Sequence, residues 1–310
     1  MASKKDWGNP KEIRIPVSYG SIAAKAWGNE NDEPVLAFHG WQDNAGTYDK
    51  LIPLLNSDLY IVAIDTPGHG LSSHKPYGSL YNVPETALDF KKIVDYLKWE
   101  RFSIIGHSMG GQLSLFYTGI FPEQVKNLIL LDIVKPPSRN VDELPGEMKK
   151  AISEIMDIEK KMSNPVPVYS PEEAKKRLIA GMYYEVTPES ADILLKRGCK
   201  PSDCGKGVVF TRDIRVKVLN DLLKFSHEAM KSYMKQIICN MLIILGTKSV
   251  FRPPSLDENS DFFNIYKKHC KSLSVVQVEG NHFVHLNNAE RIAHHIDAFF
   301  KANCNNLSKI

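Results

Sequence analysis

The chain lacks any apolar run of about 20 residues, the length that crosses a bilayer as a helix, so no membrane-spanning helix is expected. Its first residues, MASKKDWGNPKE, lack the apolar core of a secretory signal, and an intracellular protein is expected. Cysteine is sparse. Cys199, Cys204, Cys239, Cys270 and Cys304 form an odd, scattered set that suits reduced thiols better than a disulfide framework. Cys199 and Cys204 have no matching His or Cys pair nearby, which argues against a zinc site. An excess of charge of one sign is missing too: the net charge is +3, and no Lys/Arg run is interleaved with aromatics as nucleic-acid binding requires. Internal repeats, low-complexity linkers, a phosphate loop and a dinucleotide fingerprint are all absent, so no cofactor and no metal are expected.

What is present is a strand–helix alternation. Residues 12–18 and 21–27 alternate around Tyr19-Gly20 and predict an antiparallel pair. Apolar runs at 34–38, 59–64, 102–105 and 124–131 predict strands buried on both faces of a parallel sheet. Helical spacing predicts helices over 47–55, 83–99 and 110–119. The rhythm stops at 135–237. Helices are predicted there over 143–162, 171–184, 188–197 and 226–237, with Ser170 and Thr187 as N-caps ahead of Pro171 and Pro188. Strands at 241–245 and 273–278 and helices at 262–269 and 289–301 then restore the pattern. The expected architecture is an α/β fold with a mostly parallel sheet flanked by helices. Its core is discontinuous, residues 1–134 and 238–310, with 135–237 inserted as a helical cap.

One stretch carries chemistry on its face. An apolar strand runs into Gly106-His107-Ser108-Met109-Gly110 and then into a helix. A strand that turns abruptly into a helix strains its middle residue, and close neighbours must lack a β-carbon. Ser108 is therefore read as a nucleophile. The Met109 N–H falls at the helix N-terminus, where free amides and the dipole favour a developing oxyanion.

Four ordered motifs resemble those of the α/β-hydrolases: His39-Gly40-Trp41, Asp65-Thr-Pro-Gly-His-Gly-Leu-Ser72, Gly106 to Gly110, and Gly280-Asn281-His282. The resemblance covers residues 12–302. Within that superfamily, His39-Gly-Trp-Gln-Asp-Asn-Ala-Gly-Thr-Tyr48 and Val209-Phe-Thr-Arg-Asp-Ile-Arg215 resemble the animal serine hydrolase-like proteins. The resemblance implies that His282 is the base, that the Trp41 N–H is the second oxyanion donor, and that Asp65, Gly68 and Gly70 form a structural loop. His285, His39, His69, His107, His294 and His295 are expected to be structural. Trp41, Tyr183 and Tyr184 are expected to line the pocket.

The acid is where the chain departs from the commonest pattern. Many relatives place it in a Gly-x-x-Asp turn, and here that turn reads Gly246-Thr247-Lys248-Ser249. The alternative position, at the end of the strand after the nucleophile, holds Asp132, which is assigned as the acid; Asp257 and Glu258 are fallbacks. The expected function is hydrolysis of a small to medium carboxylic ester or thioester with an apolar acyl part, through Ser108, His282 and Asp132. The rival is a ligand-binding protein on a hydrolase scaffold, motivated by Ser249. The terminal Ser308-Lys309-Ile310 resembles the Ser-Lys-Leu peroxisomal address, which implies a cytoplasmic or peroxisomal protein and an import receptor as partner.

Overall fold

The chain opens with β1 (Lys11–Val17) and β2 (Gly20–Trp27), an antiparallel pair. Next come β3 (Glu33–Phe38), β4 (Leu59–Ile64), α1 (Val83–Leu97), β5 (Phe102–His107), α2 (Met109–Ile120) and β6 (Val125–Leu131). The computed structural model describes residues 5–182, 185–218, 224–249 and 261–304. Tyr183, Tyr184, Asp257, Glu258 and the terminal Ser308 to Ile310 lie outside the described residues.

Residues 47–55, expected as one helix, make two short 3-10 turns, Ala45–Tyr48 and Ile52–Leu54. Pro53 is the physical reason: without an N–H, and with its ring against the preceding turn, it starts a helix but does not continue one. α1 ends where Lys98 takes a left-handed conformation, φ +57°, and turns the chain toward β5.

Between β6 and the next sheet strand the chain runs through α3 (Leu144–Met162), α4 (Pro171–Gly181) and α5 (Pro188–Gly198). A small ribbon of β7 (Cys199–Pro201) and β8 (Val208–Phe210) follows, then α6 (His227–Met234). The ribbon escapes a periodicity reading because each strand is three residues long. Ser170 and Thr187 do cap their helices, accepting from the Glu173 and Ser190 amides at 3.1 and 3.2 Å. The chain closes with β9 (Asn240–Gly246), α7 (Asp261–His269), β10 (Ser272–Val278), the single turn α8 (Val284–Asn287) and α9 (Glu290–Cys304).

Eight strands form one sheet in the order β1-β2-β4-β3-β5-β6-β9-β10, and the six from β4 to β10 run parallel. Alternate residues feed opposite sides. Leu36 and Phe38 pack with Phe90 and Tyr266 on one face, while Val35 and Ala37 pack with Tyr48, Ile244 and Phe300 on the other. Each fully buried large apolar side chain contributes about 1.5–3 kcal/mol, which explains why these strands are apolar throughout. The carboxyl ends of the parallel strands lie along one edge, the place where open α/β sheets hold their ligands.

Residues 135–237 meet the sheet unit through apolar contacts, Met230, Met234 and Ile237 in the main core and Leu178, Ala191 and Leu194 against Phe283 and Leu286, and through polar ties. Asn44 Nδ2 donates to the Leu194 carbonyl at 2.8 Å, and its Oδ1 caps the first 3-10 turn. Arg197 donates to buried Asp65 at 2.7 Å and also pairs with Glu12. Arg215 donates to the carbonyls of Lys75 and Ser79, at 2.6 and 2.8 Å, and to Asp213, whose N–H reaches the Gly68 carbonyl at 2.8 Å. Both longer sequence motifs, 39–48 and 209–215, are therefore fastenings between this segment and the sheet. Among the described residues no helix is long and apolar enough to cross a membrane.

Candidate active site

Ser108 sits between β5 and α2 at φ +50°, ψ −115°, a strained conformation for a residue with a β-carbon. Crowding explains the flanking glycines. A β-carbon on Gly106 would lie 2.6 Å from Ser114 Oγ, and one on Gly110 would lie 2.3 Å from the Phe38 carbonyl oxygen, so neither position accepts a side chain without movement. The Ser108 N–H donates to the Leu131 carbonyl at 3.1 Å, which ties the turn to the end of β6. Met109 opens α2, and its amide belongs to the first turn, where the helix offers N–H groups no internal acceptor.

Asp132 follows β6 at once, fully buried, at φ +54°. Its backbone N–H reaches the Ile244 carbonyl at 2.7 Å, while Oδ1 accepts from the Gly246 N–H at 2.8 Å. Oδ2 accepts from His282 Nδ1 at 2.5 Å and from the Ser249 hydroxyl. Three donors converge on one carboxylate and set its orientation. Ser249, which occupies the turn position of an acid in many relatives, thus reaches the same imidazole through Asp132. With Nδ1–H committed to Asp132, the remaining His282 nitrogen, Nε2, carries the lone pair a general base needs.

Ser108 and His282 line one cavity of about 450 Å3 together with Trp41 and Met109. The Trp41 ring is held there by its Nε1–H, which donates to the Val216 carbonyl at 2.7 Å. Sequence reasoning did not single out Val216, Gln112 or Phe283 as cavity walls. They carry no motif: Gln112 comes from the first turn of α2, Val216 from the folding of residues 135–237 and Phe283 from the start of α8.

Several histidines expected to be fully satisfied are only half so. His39 is complete: Nδ1 donates to the Gly40 carbonyl at 2.7 Å and Nε2 accepts from the Thr66 N–H at 2.9 Å. His107 Nε2 donates to the His282 carbonyl at 2.9 Å, and His285 Nε2 shares a 2.7 Å hydrogen bond with Thr47 Oγ1. The Nδ1 atoms of His107 and His285 and Asp43 Oδ2 are buried without hydrogen-bond partners, and the three residues each bring one possible ligand atom within 4.8 Å of the others. Two imidazoles and a carboxyl are a donor set that suits a metal ion, and this group is invisible in the sequence because the loop after β3, the end of β5 and α8 supply one residue each. Burial pushes Asp43 up to about 7 and holds His39 at about 4, His69 and His285 at about 3, and His107 well below its ordinary value.

The family model of the α/β hydrolase fold matches residues 33–155. A serine hydrolase-like protein of Danio rerio is 37% identical over 297 residues, 94% of this chain and 88% of that protein. Serine hydrolase-like protein 2 of Homo sapiens is 35% identical, with 94% of each chain covered. A crystal structure of a hypothetical protein from Pseudomonas aeruginosa PAO1 superposes with a TM-score of 0.82 at 28% identity, covering 94% of this chain and 99% of that one. The thioesterase domain from the curacin biosynthetic pathway shares the fold with a TM-score of 0.75, at 21% identity and coverages of 93% and 99%.

Proposed function

This chain belongs to the serine hydrolase-like proteins of the α/β hydrolase fold, and on that premise we propose that it hydrolyses carboxylic esters or thioesters through an acyl-enzyme. The observation that carries this reading is the 2.5 Å hydrogen bond from His282 Nδ1 to buried Asp132, at the cavity that also holds Ser108. In the first half-reaction His282 Nε2 takes the Ser108 proton as Oγ bonds to the carbonyl carbon; the oxyanion rests on the Trp41 and Met109 amides. Collapse breaks the bond to the leaving oxygen or sulfur, which receives the proton from His282. Water then repeats the sequence, releases the acid and restores the serine. Asp132 holds the imidazole in the right tautomer and stabilises its charge.

Met109, Leu113, Val216 and Phe283 give the cavity apolar walls, which fits an apolar acyl part, and residues 135–237 act as its cap. The binding-protein alternative loses its motive once Asp132, not residue 249, faces the histidine. The deciding experiment is fluorophosphonate labelling of the full chain beside Ser108→Ala and His282→Ala. Labelling confined to the wild type supports the hydrolase. No labelling of a folded wild type overturns it in favour of ligand binding. Ser308-Lys309-Ile310 is proposed as a peroxisomal address, tested by whether its deletion moves a fluorescent fusion out of peroxisomes.

A further inference from the structure

The loop of residues 66–75 separates two spaces. His69 lines the Ser108 cavity, whereas Gly70, Leu71 and His74 line an open groove of about 790 Å3 on the loop's other side. The groove is rich in cations, and most lack a counter-charge. Arg215 is neutralised by Asp213 at 2.6 Å, and Lys75 by Glu85 and Asp89 at 2.8 and 3.2 Å. Lys161, Lys200, Arg212 and Lys217 also line it, and among the described residues none of them is in an ion pair. The buried carboxylate there, Asp213, is already held by Arg215 and by the Tyr81 hydroxyl.

Arg212 is the centre of this arrangement. Its Nε is buried without a hydrogen-bond partner, and its guanidinium lies over the Phe210 ring, 4.3 Å from the centroid, with Tyr169 edge-on to Phe210 at 5.8 Å. A guanidinium stacked on a ring, with a free N–H, is a preorganised receptor for phosphate oxygens. Two further facts agree. Burial, Arg212 and Lys161 together hold the Lys217 amine below its usual value, as expected of like charges packed without an anion. The Arg212 charge also weighs on His69 in the shared wall, so the groove and the Ser108 cavity are near neighbours.

A third space borders both. An apolar pocket of about 440 Å3 under Ile152 and Ile155 of α3 shares Tyr81 and Val218 with the Ser108 cavity, and Tyr77 and Arg215 with the groove. An elongated molecule held at both ends would lie along these shared walls, past α3.

We propose that the groove is a subsite for phosphate on the leaving group, so that the substrate class is an acyl ester or thioester whose alcohol or thiol part is phosphorylated. The inference rests on the hydrolase reading above. No phosphorus–oxygen bond is broken: water cleaves the acyl bond, and the phosphorylated alcohol or thiol leaves intact with the proton from His282. A thioester of coenzyme A and an acylglycerol phosphate share this chemistry.

The test uses the full chain and three substrates with the same decanoyl group: the coenzyme A thioester, the acylglycerol phosphate and the uncharged p-nitrophenyl ester. The wild type is expected to show a lower KM for one or both phosphorylated substrates, and which one identifies the source. In Arg212→Gln and in the exposed Lys217→Gln, the ratio of phosphorylated to uncharged KM should rise roughly tenfold, as loss of a charge-assisted contact implies. Lys217→Gln guards against misfolding of the half-buried arginine variant. Equal KM values for charged and uncharged substrates, or variants that shift both alike, overturn the subsite. A wild type that labels with fluorophosphonate but turns over only the uncharged ester overturns the subsite alone. One that neither labels nor hydrolyses any of the three overturns the hydrolase reading itself.

Discussion

The sheet and the segment of residues 135–237 hold together by different means. β4 is buried at every position, and the strands around it are nearly so. α3, the longest helix of the segment, buries only Ala151 and Ile158 and leaves Met148, Ile152 and Met156 at 43%, 46% and 54% exposure. Apolar burial holds the first; the second combines the apolar contacts of α5 and α6 with hydrogen bonds and ion pairs centred on Asn44, Arg197 and Arg215. For α3, few buried apolar contacts mean a lower cost of local opening. Most of the walls of the Ser108 cavity, Trp41, Met109 and Leu113 among them, stand on the sheet unit, and residues 135–237 add Pro137, Met182, Val216 and Val218.

The sharpest test of this contrast is Asp132→Asn. Losing the orienting carboxylate should lower kcat about ten-thousandfold through the wrong tautomer while the protein stays folded, as steady-state kinetics beside a melting curve will show. Arg197→Met attacks the fastening instead. It strands Asp65, which is fully buried, and should cost about 3–5 kcal/mol, read as a fall in denaturant midpoint, unless the segment detaches first and the transition splits in two.

Acid should separate the regions in a third way. His39, His69 and His285 have folded values near 4, 3 and 3, below the unfolded value of about 6.5, so the unfolded chain takes up protons that the folded chain refuses. The stability they confer is complete above about pH 6.5 and is lost as pH falls toward 3–4. Asp43 opposes this: raised to about 7, it favours the folded state below about pH 4 and loses that contribution as pH rises through 7. Three outweigh one, so the melting temperature should climb by several degrees from pH 4.5 to about 6.5. Asp43→Asn should make the climb steeper. Residues 135–237 contain one histidine, His227, so the loss belongs to the sheet. The smallest effect is expected for Arg215→Lys, which keeps the charge but loses the forked hydrogen bonds to residues 75 and 79; KM should rise roughly two- to fivefold with kcat held.

Much of the fold was legible because its signals are local. Apolar runs such as 59–64 have few other solutions, and Ser170-Pro171 and Thr187-Pro188 announce helix starts through one side chain and one ring. The Ser108 turn was legible because sterics dictate its glycines. Asp132 was harder: from sequence it is one carboxylate at a strand end among several, and only the meeting of β6, β9 and the His282 loop distinguishes it. The donor role of Ser249, the Asp43–His107–His285 group and the unpaired charge of Arg212 were not legible at all. Each depends on long-range closure, which leaves no period and no spacing in the chain.

The ladder bonds around the catalytic turn have a mechanical consequence. Ser108 is tied through its N–H to the end of β6, and Asp132 through its own to β9, so the proposed nucleophile and acid ride on three adjacent strands. The proposed base does not. His282 hangs from a loop beyond β10 that is clamped to those strands by its side chain on Asp132 and by its carbonyl on His107. Ser108 and Asp132 thus keep their spacing through strand ladder bonds, whereas the His282 loop keeps its place through ties that each reach a different part of the chain: Asp132, His107, the Lys248 N–H on the Gly280 carbonyl and Asn281 on the Glu185 carbonyl.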